Sequence, residues 1–227
     1  SGNPIICNST AYNVVIEKAL FPEDNKTGNR ILLETYQILL NHGYEFKDSI
    51  PISKTFPYVF LPDSDDDAAE LKSSINLNVY ATAENCIDKI IDDYDISDEY
   101  SDDEKRIIAG LRYELILKDF AYSNDFIFAE NIDIETLIEI KEKSTVLRGV
   151  NVVEAAVREI TQGDIIPHEI GTVGPIYADE YDELKQKGYA LNDVVGKSGI
   201  EKVMEETLRG SNGQEEISIL NGAVVDE

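Results

Sequence analysis

Basic residues are scarce in this chain. Twenty Lys and Arg stand against 45 Asp and Glu, a formal charge of −25. Such a surface excludes nucleic acid as a partner, because neutralising phosphates takes clustered cations. Adsorption to anionic lipid is disfavoured for the same reason, and the acidity is read simply as solubility. Cysteine is nearly absent. Cys7 and Cys86 lie far apart; whether they pair is left open, and two cysteines do not decide the compartment. Cys86 falls on the apolar side of a predicted helix, where a buried thiol is expected. No run of eighteen apolar residues occurs, so nothing in the sequence reads as a membrane span. No signal peptide, internal repeat or low-complexity linker is found. Only two histidines occur, His42 and His168. Neither has metal-binding partners at ligand spacing, so no metal and no cofactor are expected. His42 reads as a helix C-terminal residue, and His168 as a structural hydrogen-bonding residue.

What remains is an ordinary globular composition, 42% hydrophobic and 29% charged over 227 residues, enough for one large domain or two modest ones. Residues 11–21 read as a strand stopped by Pro22, followed by a helix from Thr27 to His42. Residues 48–62 are proline-punctuated, with one short strand predicted at 58–60. Asp63, Asp65 and Asp67 imitate a calcium loop, but Ala68 replaces the required glycine and Ser74 the closing glutamate. These carboxylates are therefore assigned to a loop and the first turn of the next helix. Thr82, Ser101 and Asp133 are predicted to cap three helices, and Phe126–Phe128 a strand. Residues 150–153 and 157–160 read as extended chain. Asp179–Lys187 is a short helix closed by Gly188, and Asn221-Gly222 signals a hairpin.

The stretch Gly196–Gly213 concentrates several signals. Gly196 and Gly199 bracket a turn, and Ser198 is expected to cap a helix in a capping box with Glu201. Ile200, Val203, Met204 and Thr207/Leu208 are spaced as one buried face. Gly210 is placed to end the helix, and Asn212-Gly213 to turn the chain. Lys197-Ser198 hints at a phosphate-binding loop, but the glycine required five positions before Gly196 is Leu191. Nucleotide binding is rejected.

Two motifs carry a resemblance. Gly196, Gly199, Glu201, Leu208, Gly210 and Gly213 match every fixed position of Gly-x-x-Gly-x-Glu followed, six residues on, by Leu-x-Gly-x-x-Gly. Arg158, Gly163, His168 and Gly171 match a preceding motif, which departs at Ile160, Thr161 and Ile166, where Tyr, Pro and Ala are usual. Gly2-Asn3-Pro4-Ile5-Ile6 looks like the tail of an earlier one. Together these resemble the N-terminal pedestal, or dimerisation, module of class B penicillin-binding proteins, the peptidoglycan D,D-transpeptidases. The elongation and sporulation types both fit, and the long helical insert leans toward elongation.

The resemblance implies an α+β fold of two lobes. A mixed strand and helix pedestal would comprise 1–22 and 146–227, with an inserted, mostly helical head at 23–145. It implies a non-catalytic role, with Arg158, Glu201 and His168 fixing internal geometry. No serine here has lysine three residues later, so the Ser-x-x-Lys nucleophile of the transpeptidase is missing. Lys26-Thr27-Gly28 and Lys197-Ser198-Gly199 only imitate another of its motifs. The cut-looking Ser1-Gly2 and the final return strand suggest an excised piece. The implied parent is anchored by an N-terminal helix at the extracytoplasmic face of a bacterial cytoplasmic membrane. Its implied partners are a polytopic glycan polymerase and cell-wall scaffold proteins, with homodimerisation left open. The alternative is a standalone extracytoplasmic binding or adhesion module built on the same domain.

Overall fold

Strand β1 (Ile6–Ile16) is the middle strand of a three-stranded sheet of order β2-β1-β3, with β2 at Phe126–Ala129 and β3 at Val150–Ile160. The computed structural model describes residues 6–122, 124–160, 167–189, 193–209, 218–220 and 223–226. β1 and β2 run antiparallel, with Val15 opposite Ile127 and Ile16 opposite Phe126, and the register shifts between Val14 and Val15. The strand predicted at 11–21 thus begins earlier and stops at Ile16. Leu20 and Phe21 donate instead to the carbonyl of Glu17, turning the chain before Pro22. The two extended stretches predicted after Gly149 form one strand, β3.

Contacts divide the chain into two compact units, 12–154 and 1–11 with 155–227. The unit 12–154 is mostly helical: α1 (Asn25–Asn41), α2 (Asp65–Ser74), α3 (Ala83–Asp93), α4 (Asp102–Leu117) and α5 (Ile134–Glu142). Their starts follow the local chemistry. Asp24 accepts from Thr27 N–H at 2.8 Å and Asp133 from Thr136 N–H at 2.7 Å. Thr82 with Asn85, and Ser101 with Glu104, close reciprocal capping boxes that satisfy two orphan donors each. Asp65, Asp66 and Asp67 occupy the first turn of α2, where negative charge suits the helix dipole.

One apolar cluster in this unit joins Val14, Ile16, Ile31, Leu32, Leu111 and Leu147; a second joins Ile52, Leu71, Ile87, Ile90 and Ile108 around the buried, free Cys86. Burial pushes the Cys86 thiol up, as an apolar site disfavours the thiolate. On α5 Ile140 is fully buried and Ile138 is exposed. His42 follows the end of α1, and its Nε2 lies 2.8 Å from Glu139 Oε2.

The proline-punctuated segment contains no strand. Residues 58–60 contribute only an isolated bridge, Ile52 to Phe60. Irregular backbone leaves carbonyls that need donors, and a buried arginine supplies them. Arg106, 2% exposed, donates to the carbonyls of Ile52 (2.9 Å) and Ser53 (3.1 Å) and pairs with Asp48 at 3.0 Å. Buried Glu114 accepts from Ser49 N–H at 2.8 Å. Both strands and helices are present, so the fold is α+β.

Besides the start of β1 and the end of β3, the other unit holds short elements: α6 (Pro167–Ile170), β4 (Val173–Pro175), α7 (Ala178–Gln186), β5 (Val194–Gly196), α8 (Gly199–Val203), α9 (Glu205–Leu208), β6 (Ser218–Leu220) and β7 (Ala223–Asp226). β4 pairs antiparallel with β5, and β6 with β7. Leu220 sits opposite Ala223, the register expected of a hairpin across Asn221-Gly222; those two residues lie outside the described set. α7 falls where the sequence placed it, closed by Gly188 at φ +81°.

Candidate functional site

Three motif glycines, Gly171, Gly196 and Gly199, meet at one joint, where β4, β5, α6 and α8 come together. Gly171 and Gly199 both have left-handed backbone, φ +90° and +61°. A Cβ on Gly171 would lie 2.0 Å from the carbonyl oxygen of Ser198, and one on Gly199 would lie 2.6 Å from that of Glu169. Gly196, at the end of β5, is equally confined: its Cβ would sit 2.3 Å from the Glu201 carbonyl carbon and oxygen. Backbone is packed directly on backbone at all three positions. No residue with a side chain fits there without moving the main chain.

Hydrogen bonds hold the crossing. Lys197 N–H donates to the Thr172 carbonyl at 2.7 Å, and Thr172 N–H donates to Ser198 Oγ at 3.0 Å. The Ser198 hydroxyl also lies 3.0 Å from Thr172 Oγ1. This corrects the expected capping box: Ser198 makes no cap bond to α8. Its oxygen is taken by a partner 26 residues earlier in the chain. The expected helix is also broken. Met204 separates two short helical pieces, α8 and α9. Nor is its apolar face buried: Val203 is 82% exposed, Leu208 58%, Ile200 49% and Met204 41%, and Thr207 is exposed too.

Several residues that the motif reading did not single out complete the joint. Glu205 Oε2 accepts from Gly196 N–H at 2.7 Å, while its Oε1 accepts from the Tyr189 hydroxyl at 3.3 Å. Burial, followed by the Glu205 charge, raises the Tyr189 phenol. Tyr189 packs with Ile176 and Val195 in the unit's small apolar cluster. Arg209 lies over the Tyr189 ring at 3.6 Å from its centroid and donates to the carbonyls of Lys187 (3.2 Å) and Gly188 (2.6 Å). It thereby satisfies the orphan carbonyl end of α7, where a cation also suits the dipole. Lys197 pairs with Glu180 and sits 4.0 Å from the Tyr177 ring centroid. Glu180 also accepts from Tyr177 N–H at 3.2 Å. The Lys197 bond first, then the Tyr177 amide, lower its carboxyl below the usual range. Arg209 occupies a free position inside the second motif, between Leu208 and Gly210. Nothing local marked Glu205, whose partner is nine residues back.

Of the other expected residues, Glu201 is half-buried in the first turn of α8, and His168 belongs to α6. Arg158 lies in β3. Gly163, Gly210 and Gly213 lie outside the described residues. Among the described residues no group of three metal-ligating side chains comes together, and no helix is long and apolar enough to cross a membrane. Chemically, the joint offers closure. Lys197 is engaged by the Glu180 carboxylate and Ser198 by Thr172.

Comparison with known proteins agrees with this picture. The family described as the Penicillin-binding Protein dimerisation domain matches residues 1–226. A peptidoglycan D,D-transpeptidase, MrdA of Acinetobacter baumannii, is 33% identical over 85 residues, 37% of this chain and 12% of that protein. Penicillin-binding protein 2B of Streptococcus pneumoniae strain 5204 superposes with a TM-score of 0.52 at 18% identity, over 90% of this chain and 32% of that one. Penicillin-binding protein 2 of Helicobacter pylori, solved in complex with MreC, has a TM-score of 0.40 at 15% identity, over 87% of this chain and 24% of that one. This chain therefore spans only a minor part of the relatives it matches. With the family match covering residues 1–226, the chain belongs to the penicillin-binding protein dimerisation domain family.

Proposed function

We propose that this chain is the non-catalytic pedestal of a peptidoglycan transpeptidase, holding a penicillin-binding catalytic domain at a fixed height outside the bacterial cytoplasmic membrane. The observation that carries the reading is the glycine crossing. Gly171, Gly196 and Gly199 bring backbone within contact distance of backbone, which gives a stiff brace and no reactive group. The unit of 1–11 and 155–227 lies inside the pedestal lobe expected at 1–22 and 146–227. The helical unit is the inserted head, free to meet cell-wall scaffold proteins, while the pedestal contacts a polytopic glycan polymerase. Arg158, His168 and Glu201 belong to the brace and do not react with substrate.

Two measurements test this. Fluorescent penicillin should leave the isolated chain unlabelled; covalent labelling would overturn the non-catalytic role. In a parent protein carrying the transpeptidase domain, Gly199→Val should leave penicillin labelling intact. It should also broaden the distance distribution between spin labels on the pedestal and on the catalytic domain. An unchanged distribution would overturn the positioning role.

A further inference from the structure

Arg112, on α4, is 6% exposed, and among the described residues none of its partners is a carboxylate. Its Nε donates to Asn29 Oδ1 at 2.8 Å, its Nη2 donates to the Asn25 carbonyl at 3.1 Å, and its guanidinium lies 4.7 Å from the Tyr94 ring centroid. Arg106, one helical face away on the same helix, is by contrast neutralised by Asp48. A buried cation left with neutral partners is unusual, because desolvation is normally offset by a counter-charge. Burial lowers Arg112 to about 10, so it is charged at neutral pH. The fold makes room for it: a Cβ on Gly28 would lie 2.8 Å from its Nη2. Nη1 makes no hydrogen bond among the described residues, leaving its two donors unspent.

A cavity of about 350 Å³ opens beside this guanidinium, at the small end of the range for ligand sites. Lys18 lines it as a second cation, with its Nζ 5.3 Å from the Phe120 ring centroid. Phe21, Leu115 and Phe120 form an apolar wall, the two rings edge-to-face at 5.9 Å. Glu23 and Asp119 also line it, and the carbonyl end of α4 lies beside them. These negative groups would repel a dianion more strongly than a monoanion. We propose that the cavity binds a small organic monocarboxylate, its carboxylate held by Arg112 and Lys18 and its apolar tail against Phe21, Leu115 and Phe120.

The probe is 3-phenylpropionate, titrated into the whole chain and followed by the 1H–15N resonance of Arg112 Nε. Saturable shifts with a Kd of about a few millimolar or tighter are expected for a ligand of this size. 3-Phenylpropylamine and inorganic phosphate should bind at least about tenfold more weakly. Asp119→Asn keeps a residue type that tolerates the φ of +49° found there; removing that charge should tighten binding roughly threefold. Arg112→Gln should abolish binding. Because that variant risks unfolding, Ile116→Trp provides a second arm, filling the cavity from its half-buried wall position. It should abolish binding while circular dichroism shows the helices intact. Absence of saturation at about 50 mM, equal binding of the amine or of phosphate, or unchanged affinity in Asp119→Asn or in folded Ile116→Trp would each overturn the proposal.

Discussion

The helical unit 12–154 and the glycine joint of the other unit are stabilised in opposite ways. In the helical unit, two clusters of buried aliphatic side chains fill the space between helices, so it is weakened by taking atoms away. In the joint, main chain touches main chain at Gly171, Gly196 and Gly199, and the local apolar cluster comprises Ile176, Tyr189 and Val195 with Tyr181 and Leu184 against it. That region is weakened by adding a single methyl group. Among the described residues of the joint, whose elements are three to nine residues long, close backbone approach therefore stands in for a large core.

The largest effect should come from Gly171→Ala. The left-handed φ alone costs about 1–2 kcal/mol, and a methyl 2.0 Å from the Ser198 carbonyl oxygen requires the strands to part. A loss of about 4 kcal/mol in local stability is expected, read as collapse of amide protection in β4 and β5 by native-state hydrogen exchange. The mirror test is Ile87→Ala in the helical unit. Ile87 is fully buried beside Cys86, and its truncation should cost about 3 kcal/mol, with protection lost in α3 and α4. Equal tolerance of Ala at Gly171 and at an open glycine would break the comparison. Gly188 supplies that control, since it has φ +81° but nothing within 4 Å of where a Cβ would sit. Gly188→Ala should cost only about 1 kcal/mol.

Between these extremes lies Glu205→Gln. Its carboxylate joins Gly196 N–H to the Tyr189 hydroxyl, bonds that reach from α9 to β5. Because an amide can still accept at one oxygen, the loss should be modest, about 1–2 kcal/mol. It should appear in the exchange of the Gly196 amide. Unchanged protection there would remove Glu205 from the joint.

Sequence reasoning succeeded where the deciding partner is close along the chain. The caps at Thr82, Ser101 and Asp133 sit within three residues of the amides they satisfy, and buried Cys86 followed from helical periodicity alone. Ser198 carries the same Ser-x-x-Glu signature, yet its hydroxyl is claimed by Thr172. A local signal cannot register a competitor 26 residues away. Periodicity likewise detects that Ile200, Val203 and Leu208 share a face, but says nothing about whether the chain covers it; their exposure shows that none of the described residues does. Arg106 and Arg112 were invisible for a third reason. Arginine reads as solvent-facing unless the carbonyls of an irregular segment, or a pocket of neutral acceptors, are already known to lie opposite it.

The smallest expected effect is electrostatic and sharpens the contrast at the joint's edge. Glu180 is lowered from 4.5 chiefly by its bond to Lys197 and then by the Tyr177 amide. A carboxyl whose folded pKa is depressed contributes stability that is present above its unfolded value and lost as the pH falls through the folded one. Protection of the Tyr177 amide, corrected for intrinsic exchange, should therefore decline below pH 4.5 in the native chain. In Glu180→Gln that acid limb should be absent and protection lower throughout the neutral range. Salt should shrink the difference, because the pair is partly exposed and open to screening. The helical unit has its own depressed carboxyls, at the caps Asp24, Glu104 and Asp133, so its helix starts should lose protection in acid whether or not Glu180 is present. An identical acid limb at Tyr177 in both proteins would mean that the Lys197 pair does not hold α7 to β5.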